Sequence, residues 1–483
     1  MRTNYHVNAT VQFSTLSPDQ IEEIVSASLE ILERVGMRIH SDEAVDMLEA
    51  AGATVDGQGL VHIPGCLVKH ALNLAPGRVV LAGRDGSRKV VLEKDRIYYG
   101  TGSDTPFFID PRTDERRKTV YQDVYDAART ADALPNIDFF MSLGLVSNAP
   151  TQTYDRHQFM AMITGTSKPM VITAVDRQGL EDQHRMACAV LGGEDAFRRN
   201  PLFAIYIEPI SPLQHSKEVV EKLFYAADHG IPIVYTPAPT AGFTAPMTLA
   251  GIMAQGLAEM MAGLVMAQLR SPGASIIIGG VHTVIDMKTM IFSYGAPEFL
   301  LLSAALTDVV KWLGLPMFST AGCSDAKVLD GQAALQAGLS ILFAALSGAN
   351  LIHDVGYLES GLTGSLDMLV LSDEIVAMVK RMLQGVPVTP ETLAVDVIAQ
   401  VGPGGHFIST EHTLRHFREV LWQPELLERD DYTGWEAKGR KTLSDRVRAK
   451  VLRILETHQP APISPDALKV LQAIVAEADQ KYA

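Results

Sequence analysis

Between residue 96 and residue 355 this chain alternates short β-branched and aromatic runs with longer amphipathic segments. The runs are Ile97-Tyr98-Tyr99 and residues 137–145, 169–174, 202–207, 231–236, 274–279, 316–320 and 350–355. Their starts are spaced by roughly 29 to 43 residues, which leaves room for a loop, a helix and a second loop in every gap. Helix patterns fit those gaps, for example at 119–133, 216–228, 296–313 and 331–346. Eight strand–helix units over about 260 residues predict an α/β fold, a (β/α)8 barrel. A doubly wound open sheet is the runner-up. It would place a glycine-rich phosphate loop after its first strand, and Gly100-Thr101-Gly102-Ser103-Asp104 carries only two glycines at that spacing.

The flanks read differently. Residues 1–95 form a leading α/β extension. Ser17 is a helix N-cap, Pro18 the first helical residue, and Gln20 closes a capping box. Ile21, Ile24, Val25, Leu29 and Leu32 make the apolar stripe with Ser28 on the same face, and Gly36 ends it. A second helix at 41–51 and strand-like pieces near Val61 and 79–81 follow. The barrel is expected over 96–385. After about Gly385 the chain turns polar and helical, with a tight turn at Gly402-Pro403-Gly404-Gly405, and residues 386–483 are expected to form a C-terminal cap.

Charge removes some function classes. The net charge of −15 argues against nucleic acid and anionic membrane as partners, which need a basic footprint. Arg116-Arg117-Lys118 adjoins Asp114 and Glu115 and reads as a solvated loop. Cys66, Cys188 and Cys323 lie far apart without a CxxC pair, which fits a reducing cytoplasm. No basic-plus-apolar leader opens the chain. Residues 247–269 are apolar enough to raise the membrane question, but they carry Gln255, Glu259 and Gln268. A buried or subunit-interface helix is the simpler reading, and a homo-oligomer is expected on that ground.

Barrel chemistry sits at the carboxyl ends of the strands. Reading those ends nominates Tyr98, Tyr99, Ser103, Asp104, Tyr206, Glu208, His282, Thr320, Cys323, Asp325, His353, Asp354, Gly356 and Tyr357 among others. In 203–208, period-2 alternation puts Tyr206 and Glu208 on one face and Phe203, Ile205 and Ile207 on the other. Aromatic residues are only 7% of the chain, yet Tyr98, Tyr99, Phe107, Tyr206, Phe243, Tyr294 and Tyr357 fall at or just beyond strand ends. Rings plus a carboxylate are what a quaternary ammonium requires, since it has no N–H to donate. Two other readings compete. His282, His353 and Asp354 offer ligands for a metal-dependent barrel hydrolase or lyase, and a non-catalytic betaine-binding protein is the second. Cys323 reads as a small buried thiol. Alternation also forbids His353 and Asp354 from both facing a pocket. If Leu351 and Val355 pack outward, His353 goes with them, and Asp354 and Gly356 face in unless the chain kinks at Gly356.

Four segments resemble the trimethylamine methyltransferase family. They are Tyr294-Gly295-Ala296-Pro297-Glu298, Ser319-Thr320-Ala321-Gly322-Cys323-Ser324-Asp325-Ala326-Lys327, residues 346–357 with Asn350-Leu351-Ile352-His353-Asp354-Val355-Gly356-Tyr357, and Val401-Gly402-Pro403-Gly404-Gly405. The resemblance covers most of the chain and is densest over 290–410. It implies a (β/α)8 barrel that moves a methyl group from a methylamine to the cobalt of a separate corrinoid protein. Archaeal trimethylamine enzymes of the family carry pyrrolysine. This chain has standard residues only, so it resembles the non-pyrrolysine branch that demethylates quaternary amines such as glycine betaine, proline betaine and carnitine. The substrate expected first is glycine betaine, the smallest of these. No cofactor or metal is expected in the chain itself, and the corrinoid comes from the partner. Glu208 with several of Tyr98, Tyr99, Tyr206, Phe243 and Tyr357 would surround the ammonium. His353 or His282, with glycine-rich backbone near Gly356, would hold a substrate carboxylate.

Overall fold

The computed structural model describes residues 11–482. The reading of the chain's opening residues therefore lies outside the described residues. Seven of the expected runs form strands: β1 (Tyr98–Thr101), β2 (Met170–Ile172), β3 (Phe203–Ile207), β4 (Ile233–Tyr235), β5 (Ile276–Gly279), β6 (Met317–Thr320) and β7 (Leu351–Val355). All pair in parallel in one sheet of order β1-β7-β6-β5-β4-β3-β2. The four helices nominated above form at Tyr121–Ala133, Lys217–His229, Pro297–Trp312 and Gly331–Ser347.

The run at 137–145 is not a regular strand. Only Phe139 and Phe140 pair, the first with Gly100 at the end of β1 and the second with Met170 at the start of β2. Beyond them the Thr101 side chain replaces the backbone ladder. Its hydroxyl donates to the Met141 carbonyl at 2.6 Å and accepts from the Met141 amide at 2.8 Å. Leu143 then turns into the left-handed region at φ +56, which ends any extended pairing.

Alternation divides the sheet into two faces. Phe139, Val171, Ala204, Val234, Ile277, Phe318 and Leu351 form one inner cluster. An antiparallel hairpin, Val79–Ala82 with Lys89–Leu92, adds Val79, Leu81, Val90 and Leu92 to that cluster. It docks at the amino ends of the strands, where the Ala82 amide donates to the Pro201 carbonyl at 2.8 Å and the Arg84 amide to the Ser167 carbonyl at 2.9 Å. The interior is thus filled from below and left free at the carboxyl ends. Phe203, Ile205, Ile207, Ile233 and Ile276 face the helices in the larger core.

The apolar stretch at 247–269 is one helix, Leu249–Arg270, buried along nearly its whole length. Helices Pro18–Glu30 and Gly65–Leu74 of the leading segment pack on it. Its apolarity is accounted for within the chain, so it no longer argues for a subunit interface. Pro18–Glu30 begins with the expected capping box at Ser17 and Gln20. At the other end of the chain, Leu443–Thr457 packs on Leu366–Leu383 and Tyr121–Ala133, and Pro465–Tyr482 packs on Arg177–Leu191.

Candidate active site

A cavity of about 350 Å³ opens at the carboxyl ends of the strands. β3 delivers Tyr206 and Glu208 to it by plain alternation. The Tyr206 hydroxyl donates to Glu208 Oε2 at 2.9 Å, and the Thr236 hydroxyl donates to the Tyr206 oxygen at 3.4 Å. Glu208 opens onto the cavity, while the surrounding walls raise its pKa by desolvation and Glu259 raises it further. The turn after Glu208 is held by Glu259 of the long apolar helix, which accepts from the Ser211 hydroxyl at 2.6 Å, the Leu213 amide at 2.9 Å and the Gln255 amide at 3.0 Å.

β7 reaches the cavity through a bulge. Ile352 pairs with Tyr99 and Val355 with Thr101, so His353 and Asp354 together stand opposite the single Gly100. Leu351 faces the inner cluster and Ile352 the outer core. His353 therefore points in, and Asp354, in the left-handed region at φ +74, points in as well. Val355 returns to the outer core as expected, but Leu351 does not pack outward. The alternation argument fails at this one residue. Gly356, at φ +105, turns the chain and does not line the cavity.

His353 Nδ1 faces the Ser319 carbonyl at 2.9 Å, so the ring proton sits there and Nε2 is left as an acceptor. Nε2 lies 3.1 Å from Asp354 Oδ1. Burial lowers the His353 pKa to about 4 and raises that of Asp354 to about 8, with the Tyr294 and Tyr357 hydroxyls acting against the second shift. Burial thus favours the uncharged form of both side chains. Asp354 Oδ2 makes no hydrogen bond.

The remaining walls come from distant segments. Phe292, Tyr294, Tyr357, Ser103, Asp104, Thr240, Thr283, Ser360 and Leu362 all line the cavity. Asp325 sits behind the aromatic wall and holds it. It accepts from the Ser293 hydroxyl, the Tyr294 amide at 2.9 Å, the Gly295 amide at 3.0 Å and the Ser360 hydroxyl at 2.8 Å. Asp104 accepts from Gln158 at 2.8 Å, and burial raises its pKa. Among the described residues no lysine or arginine lines the cavity. A lysine whose field reaches Glu208 is Lys222, and its Nζ donates to the Ala174 carbonyl at 2.8 Å.

Of the residues nominated from sequence, Ser103, Asp104, Tyr206, Glu208, Tyr294, His353, Asp354 and Tyr357 converge here. Several others do not. Tyr99 points into the outer core and donates its hydroxyl to the Ile341 carbonyl at 2.9 Å. Tyr98 packs under the inner cluster at the opposite end. β1 continues through Gly100-Thr101, so both tyrosines sit at its start and Ser103-Asp104 at its mouth. Phe243 is 73% exposed on a turn. His282 is buried against the Leu249–Arg270 helix at Gly256, and neither ring nitrogen makes a hydrogen bond. His282, His353 and Asp354 are thus not gathered as a metal set. Cys323 is buried, which raises its thiol pKa well above the usual range and suits an inert packing role. Phe292 lines the cavity without being nominated by any strand end. Tyr294 was visible as one of the strand-end aromatics, within a segment shared with the resembling family.

The family model described as trimethylamine methyltransferase (MTTB) matches residues 1–483. The trimethylamine methyltransferase MttB of Desulfitobacterium hafniense is 34% identical over 474 residues, covering 96% of this chain and 94% of that protein. MttB of Methanosarcina barkeri is 34% identical over 478 residues, covering 98% and 96%. A glycine betaine methyltransferase of Desulfitobacterium hafniense is 28% identical over 470 residues, covering 96% and 97%. The crystal structure of the Methanosarcina barkeri monomethylamine methyltransferase MtmB superposes with a TM-score of 0.51 at 13% identity, covering 99% of this chain and 90% of that one. That likeness concerns the fold.

Proposed function

The chain belongs to the trimethylamine methyltransferase family, and we propose that it is of the non-pyrrolysine branch and moves a methyl group from a quaternary amine to a corrinoid carried by a separate protein. It is a methyltransferase acting on methylated amines. The observation that carries the finer reading is the cavity wall. Asp104, Glu208 and Asp354 supply carboxyl groups, and Tyr206, Phe292, Tyr294 and Tyr357 supply ring faces, with no cationic side chain among the described lining residues. Such a wall attracts a cation that offers no N–H.

A quaternary nitrogen is already an electrophilic methyl donor and leaves as a neutral tertiary amine. The chain's part is then to bind, orient and desolvate. Glu208, held by Tyr206 and by the Glu259-anchored turn, faces the ammonium. The rings exclude water around its methyl groups. The corrinoid, when docked, supplies the reduced cobalt that accepts the methyl group. A cavity of about 350 Å³ suits a small amine, and a corrinoid is too large to enter it. The loops carrying Thr240, Thr283 and Phe292 also expose Phe243, Met247, Met287, Met290 and Ile291. That apolar rim supports a macromolecular acceptor covering the mouth.

We read the sheet as a closed (β/α)8 barrel, supported by the two bridges through Phe139 and Phe140. Residues 1–95 then form an extension and 386–483 a cap. Glycine betaine belongs among the candidate donors through the relative of that name. The test is demethylation of a panel of methylated amines by the full chain with a reduced corrinoid protein, read by mass spectrometry of the amine. A quaternary amine losing one methyl group is the expected result. No demethylation of any quaternary amine would refute the proposal.

A further inference from the structure

We infer that the methyl donor bears no carboxylate: the cavity selects an ammonium whose remaining arm is alkyl or hydroxyalkyl, of the choline type, over a zwitterionic betaine. The inference rests on reading the cavity as the amine site. It follows from what the walls offer to the far end of such a molecule. In a betaine the carboxylate lies a few bonds from the nitrogen. In a cavity of about 350 Å³ it cannot escape the walls that hold the ammonium.

A carboxylate needs donors, and most of the donors here are engaged. His353, the side chain expected to hold it, has its Nδ1 proton on the Ser319 carbonyl at 2.9 Å and turns an acceptor nitrogen toward Asp354. Lys222 is tied to the Ala174 carbonyl at 2.8 Å. The Tyr357 hydroxyl donates to the Ser103 carbonyl, that of Tyr206 to Glu208, and that of Ser360 to Asp325. Thr240 and Thr283 share one hydrogen bond at 3.1 Å, which consumes one of their two protons. What the wall leaves unused is an acceptor, Asp354 Oδ2, buried and without a partner.

An acceptor-rich, donor-poor wall suits a hydroxyl arm, which brings a proton of its own. A carboxylate arm brings only acceptors and a negative charge. It would face the Glu208 carboxylate with no lysine or arginine among the described lining residues to compensate it, and like charges repel. The site thus discriminates through its repulsive elements as well as its attractive ones.

The test is calorimetric titration of the full chain with choline, tetramethylammonium, trimethylamine and glycine betaine at neutral pH. Choline is expected to bind at least about tenfold more tightly than glycine betaine, the scale set by one uncompensated charge near a carboxylate. Glycine betaine binding as well as choline, or better, overturns this inference and leaves the quaternary-amine reading standing. Binding of trimethylamine alone overturns the quaternary-amine reading while keeping the preference for a carboxylate-free amine. Failure of all four to bind removes both.

Discussion

Glu208→Gln isolates the fixed charge of the amine site. The substitution keeps the size of the side chain, and its amide oxygen can still accept from Tyr206, now 2.9 Å from Glu208 Oε2. Only the charge is lost. A carboxylate about 5 Å from an ammonium, at an effective dielectric of about 20, contributes roughly 3 kcal/mol. Water from the open cavity reaches Glu208, which screens that figure to about half. About 1.4 to 2 kcal/mol corresponds to a loss of about 10- to 30-fold in affinity.

The partition of that loss is also determined. As the methyl group leaves, the nitrogen gives up its positive charge, so the carboxylate holds the ground state at least as well as the transition state. Such an interaction lowers KM without raising kcat. Glu208→Gln is therefore expected to raise KM and the calorimetric Kd about 10- to 30-fold and to leave kcat close to its starting value. Tyr206→Phe, which loosens the carboxylate but keeps the charge, is expected to cost less, about 3- to 10-fold. Unchanged Kd in Glu208→Gln, or a loss confined to kcat, would refute the placement of the ammonium beside this residue.

Three further results are expected. Asp354 is raised from 3.8 to about 8 by burial, and a bound cation favours its ionised form. Ammonium affinity should rise with pH up to about 8 and level off above it, by at most about tenfold per unit, with Asp354→Asn removing the dependence; a flat wild-type profile by calorimetry contradicts this. The same shift favours the folded state at low pH, so its stabilising contribution is full below about 3.8 and is lost as pH rises toward about 8. The thermal stability of Asp354→Asn relative to the parent should accordingly improve across that window. His282 is buried with both ring nitrogens unbonded and its pKa lowered to about 4 by desolvation. His282→Leu should leave stability within about 1 kcal/mol of the parent and leave KM and kcat unchanged. A rise in KM would bring His282 back into the site.

The parts of the site visible in the sequence are those where local rules hold without interruption. β3 has no bulge, so alternation alone placed Tyr206 and Glu208 together on the cavity face. β1 misled because its second half is Gly100-Thr101, which lacks the bulk of a strand pattern. The strand runs about two residues beyond its bulky run, so of the four residues nominated at its end Tyr98 and Tyr99 lie below the cavity and Ser103 and Asp104 reach its mouth. The aromatic wall was out of reach for another reason. Phe292 and Tyr294 stand on a loop fixed by Asp325, some 30 residues away, and that pairing is tertiary, with no periodic signature.

The bulge in β7 shows where local reading stops and what it leaves behind. Nothing in Ile352-His353-Asp354-Val355 states that Asp354 adopts φ +74, although aspartate tolerates that region better than most residues. Yet the partner strand carries the complement. A Cβ at Gly102 would overlap the Tyr357 ring and the Asp354 carboxylate, and one at Gly100 would overlap the Phe139 ring. The two glycines that fell short of a dinucleotide fingerprint are therefore accounted for by packing. One admits the bridge that joins β1 to the 139–140 segment. The other admits a strand that presents two consecutive side chains to one face. A bulged β7 needs a bare backbone beside it, and Gly102 supplies it at the point where Asp354 enters the cavity.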